Sequence, residues 1–202
     1  MALARNDKVL TEVFGPSEGT ALRVKQVLMV VLGIVALAIL AKIKVPVPGS
    51  PVAMNMGTFA VLTIGATYGP RLGLTTIMGY MIVGMLGFDV FQSSTADLNG
   101  LSYMMGSTGG YLMGYVLATL ALGFAARAGW DRSVLMMGGA LLIANALIYL
   151  PGVAWLSVLY GNSLTWAVSV GLVPFLIGDA LKLGLAALLV PGVWKLIGKA
   201  RS

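Results

Sequence analysis

Asp179 and Lys182 stand three residues apart inside the run FLIGDALKLGLAALLV, Phe175 to Val190, which otherwise carries no formal charge. At that spacing the two side chains share one face of a helix. An ionised aspartate or lysine at the centre of a membrane helix costs about 2.5 to 3.5 kcal/mol on insertion scales, so an uncompensated couple would cost on the order of 5 to 7 kcal/mol. Two arrangements offset that cost. Either the pair neutralises itself as a buried salt bridge, or it lines the path of a polar solute or ion. A carboxylate beside an ammonium suits a solute that offers N–H donors together with an acceptor or an anionic group.

Other polar side chains at membrane depth are candidates to complete such a cavity. Asn145 and Tyr149, in ANALIYLPGVAWL, share a helical face at i, i+4. Tyr111 lies beside a stripe of small residues, Gly106, Gly110, Gly114 and Ala118, which lets two helices approach closely in lipid while a neighbouring side chain points into a cavity. Asn55, at the start of the second span, and Asn99, in a polar connector, are candidate lids or hydrogen-bonding partners. Trp155 reads as an anchor at the membrane interface, and the series Gly65, Gly69, Gly73 as packing.

Composition explains why these groups must work inside a bilayer. The chain has 202 residues, of which 58% are hydrophobic and 10% charged. Its mean hydropathy is +0.94, whereas soluble domains are about a quarter charged. Cysteine and histidine are absent, so disulfides, thiolate or imidazole metal sites and Cys–His or Ser–His–Asp nucleophiles are excluded, and no metal or cofactor is expected. No GxxxxGK[ST] phosphate loop occurs. An intramembrane enzyme using Asp179 as general acid or base would need a second catalytic group, and no second buried carboxylate is expected. The net charge of +6 comes from bases scattered singly between apolar runs, which argues against nucleic acid as a partner.

The elements follow from punctuation by proline and glycine. Residues 1–20 are polar and read as lying on the membrane surface or in solution, ahead of a membrane domain over 21–202. Apolar runs at Val27–Ala41, Met54–Tyr68, onward to Phe88, Gly106–Ala126, onward to Trp155, and Gly171–Ile197 predict an all-α polytopic membrane protein with six transmembrane helices. The stretch KVPVPGSP is a connector and YGPRLG a tight turn. An inward-facing N-terminus puts Arg5, Lys8, Arg23, Lys25, Arg71, Arg127, Arg132, Lys195, Lys199 and Arg201 inside, against Lys42 and Lys44 outside. Both termini are therefore expected in the cytoplasm. Lys42 and Lys44 read as lysines snorkelling at a helix end.

In order along the chain, Pro51 with TFAVL (Thr58–Leu62) ahead of YGPRLG, then GSTGGYLMGY (Gly106–Tyr115), NALIYLPGVAWL (Asn145–Leu156) and GDALK (Gly178–Lys182) resemble the BioY family, the membrane-embedded substrate-binding (S) components of energy-coupling-factor biotin transporters. The resemblance implies a six-helix bundle in the bacterial cytoplasmic membrane, with biotin bound near the outer side between the later helices and the connectors after spans one and three. Asp179 and Lys182 match the family's Gly-Asp-x-x-Lys element. The ureido ring of biotin would give its two N–H groups to Asp179, and its carbonyl suits an ammonium. A separate transmembrane coupling subunit and ATPase subunits are the implied partners. The alternative reading is a solitary or ion-coupled importer of another small vitamin-like solute.

The chain departs from the family pattern at several points. Gly57 stands where a glutamine is usual, Ser107 replaces the proline of GPTGGY, and TADLNG lacks a basic residue that would meet the solute carboxylate. Lys182, Asn99 or backbone N–H groups are left for that anion. The first span also lacks the Ala-x-x-x-Ala stripe by which many S components dock.

Overall fold

The dihedral angles of Gly69, φ 76° and ψ 175°, reverse the chain in the middle of what is otherwise one long helix. Only glycine adopts them freely, and Pro70 after it cannot continue the preceding helix. The computed structural model describes residues 8–200, with side chains to 198, so Arg5, Arg201 and the side chain of Lys199 lie outside the described residues. Helix α1 (Gly19–Lys42) leads through strands β1 (Lys44–Val45) and β2 (Met54–Asn55) to α2 (Gly57–Met85), then α3 (Gly100–Met104), α4 (Gly109–Arg127), α5 (Val134–Tyr160), α6 (Leu164–Gly171) and α7 (Leu176–Ala200). The two arms of α2 fold back until a Cβ on Gly73 would lie 3.9 Å from the Cα of Gly65. The turn at YGPRLG is therefore present.

Four helical stretches among the described residues are long and apolar enough to cross a bilayer: Gly19–Lys42, Gly109–Arg127, Val134–Tyr160 and Leu164–Gly198. Each arm of α2 falls short of the roughly 17 residues a span needs. In α1 only Gly33, Leu37 and Ala41 are buried, a narrow stripe that packs on α2, while Val27, Leu28, Val31 and Leu32 face outward. Such one-sided burial with apolar residues on every other side is what a helix bathed in lipid requires.

Small residues decide how closely the helices approach. A Cβ on Gly114 would sit 2.6 Å from the Cα of Ile148, and one on Gly123 would sit 2.5 Å from the nitrogen of Pro70. Helix α4 is thus wedged between α5 and the α2 turn by backbone contact. Gly110 abuts Gly152 and Trp155, and Trp155 Nε1 donates to Gly106 O at 2.8 Å. Trp155 is therefore a pin between α5 and the start of α4.

One connector gains detail and three expectations are corrected. The connector with Pro46, Pro48 and Pro51 forms a two-stranded antiparallel ladder, Lys44 opposite Asn55 and Val45 opposite Met54, because proline favours extended backbone before it. The last apolar run is broken at residues 172–175, where Leu172 leaves helical geometry and Val173–Phe175 make a single 3-10 turn containing Pro174. The polar leader is docked: Val9 and Leu10 are buried, Val9 over the bare face of Gly69, and Glu12 pairs with both guanidinium nitrogens of Arg127. Asp131, at the same end, is a second buried carboxylate, fully covered and hydrogen-bonded by Trp194 Nε1 at 2.6 Å. Burial pushes its carboxyl above the usual carboxylate range, against the opposing pull of Trp194 and Arg132.

The backbone contact at Gly114 makes a testable prediction. Gly114→Ala forces α4 away from α5 and is expected to cost about 1–3 kcal/mol, seen as a lower Tm in detergent. Gly138→Ala, where a Cβ would meet nothing within 4 Å, is expected to leave Tm unchanged or modestly raised, since alanine is the better helix former.

Candidate functional site

Helix α7 presents Asp179, Lys182, Leu183, Ala186 and Val190 to the bundle, all buried, and Leu181, Leu185, Leu188 and Leu189 to the outside. The two charges thus occupy the first two places of an otherwise apolar inward stripe. Because the helix restarts at Leu176, Asp179 lies in its first turn. The exposed N–H groups and the positive end of the helix dipole favour a carboxylate there. Sequence reading had placed the pair deeper within a longer helix. The break at Pro174 supplies this additional stabilisation.

Every polar atom of the pair is occupied. Lys182 Nζ lies 2.8 Å from Asp179 Oδ1 and donates to Thr58 Oγ1 at 3.0 Å. Asp179 Oδ2 accepts from the Tyr149 hydroxyl and from Asn145 Nδ2, the latter at 3.4 Å. Asp179 is 4% exposed and Lys182 8%. Three elements, the first arm of α2, α5 and α7, therefore meet at one carboxylate–ammonium couple.

The couple lines a cavity of about 50 Å³, as measured for a water-sized occupant. Asn55, Thr58, Tyr111, Tyr149, Gln92 and Thr108 share its lining. The rings of Tyr80, Phe91, Tyr103, Tyr115 and Phe175 line it as well, together with smaller and aliphatic residues. Tyr111 stands edge-on to Tyr149, centroids 6.1 Å apart, and spends its hydroxyl on Gly171 O at 2.8 Å. The cavity wall is thus aromatic with a few fixed polar groups.

Of the residues singled out from sequence, Asp179, Lys182, Tyr111, Tyr149 and Asn55 are brought together on this wall. Asn145 stands behind Asp179, on a groove between α5 and α6, where its amide donates to the carboxylate at 3.4 Å. Asn99 is not in the lining. Its amide donates to Thr95 O and Ala96 O and so closes a turn of its own connector. Among the described residues no group of three His, Cys, Asp or Glu side chains could hold a metal.

Gln92 and Phe91 were missed because they belong to a polar connector. Phe91 is 1% exposed, stacked on Tyr103 at 5.0 Å and edge-on to Tyr80 at 5.3 Å, over Gly84, whose missing side chain leaves room for the ring. The apolar pair Val90-Phe91 ahead of a run of polar residues was the available signal. Once it inserts, the adjacent Gln92 is carried under the roof, where Gln92 Nε2 donates to Ala53 O at 2.8 Å and Oε1 accepts from Asn55 Nδ2. Further out, Lys42 pairs with Asp89 and Ser94, and Lys44 Nζ donates to Ser93 Oγ at 3.0 Å. The two lysines do not snorkel freely; they tie the connectors after α1 and α2 together over the cavity.

Comparison with known proteins places this geometry. The BioY family profile matches residues 14–199. A probable biotin transporter BioY of Pyrococcus horikoshii is 30% identical over 168 residues, 83% of this chain and 95% of that protein. The biotin transporter BioY of Thermotoga maritima is 30% identical over 75% of this chain and 86% of its own length. A probable biotin transporter BioY of Rickettsia prowazekii is 29% identical over 67% of this chain, and the match spans 66% of that protein. Among solved structures, the S-component for biotin from an ECF-type ABC transporter superposes with a TM-score of 0.75 at 20% identity, covering 88% of this chain and 95% of that one; at that identity the likeness is one of fold.

Two predictions follow from the geometry. Lys182→Met leaves Asp179 buried without a cation and is expected to cost about 3–5 kcal/mol, with much of the loss recovered in the double variant with Asp179→Leu; detergent melting curves of the cycle measure it. At the rim, the Lys42 hydrogen bond, aided by that of Ser94, holds the Asp89 carboxyl below the usual carboxylate range. Its stabilising contribution is present above the unfolded value near 3.9 and lost as pH falls through the lower folded value. Hydrogen exchange of residues 86–99, corrected for intrinsic rates, is therefore expected to be constant from about pH 5 to 8. Asp89→Asn raises it by no more than about fivefold, since an exposed pair is worth at most about 1 kcal/mol.

Proposed function

The chain belongs to the BioY family, and on that premise we propose that it is the biotin-binding S component of an energy-coupling-factor transporter, taking biotin up across the cytoplasmic membrane. It performs no bond chemistry. The observation that carries this reading is the buried Asp179–Lys182 couple in the wall of a cavity roofed by two interlocked connectors. The fused rings of biotin are apolar apart from a ureido group, whose two N–H donors and one carbonyl match a carboxylate next to an ammonium. Asp179 takes the N–H groups and Lys182 the carbonyl, while Tyr149 and Asn145 hold the carboxylate in place. The aromatic wall covers the ring system and the valerate methylenes.

In this reading the two arms of α2, short for spans but buried among the longer helices, count as one segment each and α6 with α7 as one, giving six transmembrane segments with both termini in the cytoplasm. The described bases Lys8, Arg23, Lys25, Arg71, Arg127, Arg132 and Lys195 fall at the end opposite the cavity roof, as the positive-inside rule requires of a cytoplasmic face. Biotin then enters from the outside. A transmembrane coupling subunit and ATPase subunits supply the energy, since the chain has no phosphate-binding loop of its own.

Equilibrium binding of labelled biotin to the purified protein tests the reading. Asp179→Asn exchanges charge-assisted hydrogen bonds, worth about 1.5–3 kcal/mol, for weaker ones. The dissociation constant is expected to rise by roughly 10- to 150-fold. An unchanged constant would overturn the assignment.

A further inference from the structure

We infer that the cavity receives the far end of its ligand, the carboxylate of biotin, with uncharged donors and does not select for its charge, so that the neutral amide of biotin is accepted about as well as the acid. The inference rests on the function proposed above and concerns a different part of the same ligand. Among the described lining residues, Asp179 and Lys182 are the only charged side chains, and they already neutralise each other at 2.8 Å. One further donor of Lys182 goes to Thr58 Oγ1. An anion drawn into this cavity therefore meets no net positive charge. Moving Lys182 to it would strip the buried Asp179 of its cation, an exchange of one uncompensated charge for another.

The bases nearest the mouth do not reach in. Lys42 is held by Asp89 and Ser94, Lys44 by Ser93, and neither lines the cavity. What the roof side does provide is a set of neutral donors. The Gln92 amide spends one N–H on Ala53 O and so keeps a second, whereas the Asn55 amide is shared between Gln92 Oε1 and the Tyr115 hydroxyl. Thr108 Oγ1 is buried without a hydrogen bond of ordinary length, beside the Tyr103 hydroxyl. Gln92 is itself 7% exposed. An oxygen acceptor, whether of a carboxylate or of a primary amide, satisfies these donors equally, and the amide avoids the cost of burying a charge.

Competition against labelled biotin on the purified full chain separates the possibilities. Saturable biotin binding comes first, and its absence would overturn both this inference and the function on which it rests. Given binding, biotin amide is expected to compete with a constant less than tenfold above that of biotin. A gap of tenfold or more would leave the function standing and overturn the inference, placing a cation on the carboxylate. Gln92→Glu sets an anion on the roof and is expected to weaken the acid at least tenfold more than the amide; equal effects on the two would also overturn it. Should that variant bind neither ligand, Thr108→Val serves instead. It weakens acid and amide by the same factor, and a loss confined to the acid would count against neutral recognition.

Discussion

Two opposite charges held in a bilayer at 2.8 Å set the terms for everything around them. Neither Asp179 nor Lys182 survives there alone, and even as a pair they leave lone pairs and N–H groups that need partners. Thr58, Asn145 and Tyr149 supply those partners from two other helices. The couple can therefore be stable only if α7 restarts at the right level and if α2 and α5 come close enough to touch it. In this sense the site is a constraint on the fold as much as a product of it.

Close approach is met by subtraction. Gly114 and Gly110 let α4 lie against the backbone of α5, and Gly123 lets it lie against the α2 turn. With little hydrophobic drive between helices in lipid, such contact relies on dispersion and shape. The same device seats Phe91 over Gly84 and Val9 over Gly69. One insertion closes the roof of the cavity and the other packs the leader against the opposite end. Both depend on an apolar side chain within a polar segment finding a glycine that leaves it room.

The roof differs in kind from the floor. Its ties are side-chain amides, hydroxyls and one exposed ion pair, Lys42 with Asp89, each worth little on its own in water. Helix-to-helix contacts below are backbone-tight and apolar.

Periodicity and composition alone marked the chain as helical and membrane-embedded and singled out Asp179 and Lys182, with Tyr111 and Tyr149 among several candidates for the same cavity. They did so because the cost of charge in hydrocarbon is local and large, so a charged pair at i, i+3 has few readings. The turn at Gly69 was legible for a similar reason, since glycine before proline leaves the backbone few choices. Tertiary structure alone decided the rest. It took Gln92 into the cavity and kept Asn99 out of it, although both belong to one polar connector, because only Phe91 beside Gln92 has an aromatic seat to enter. It buried Val9 and Asp131, whose partners Gly69 and Trp194 are remote in sequence, and it broke the last helix at Pro174 so that Asp179 stands at a helix start. Each of these depends on a contact between distant segments, which no local pattern of residues encodes.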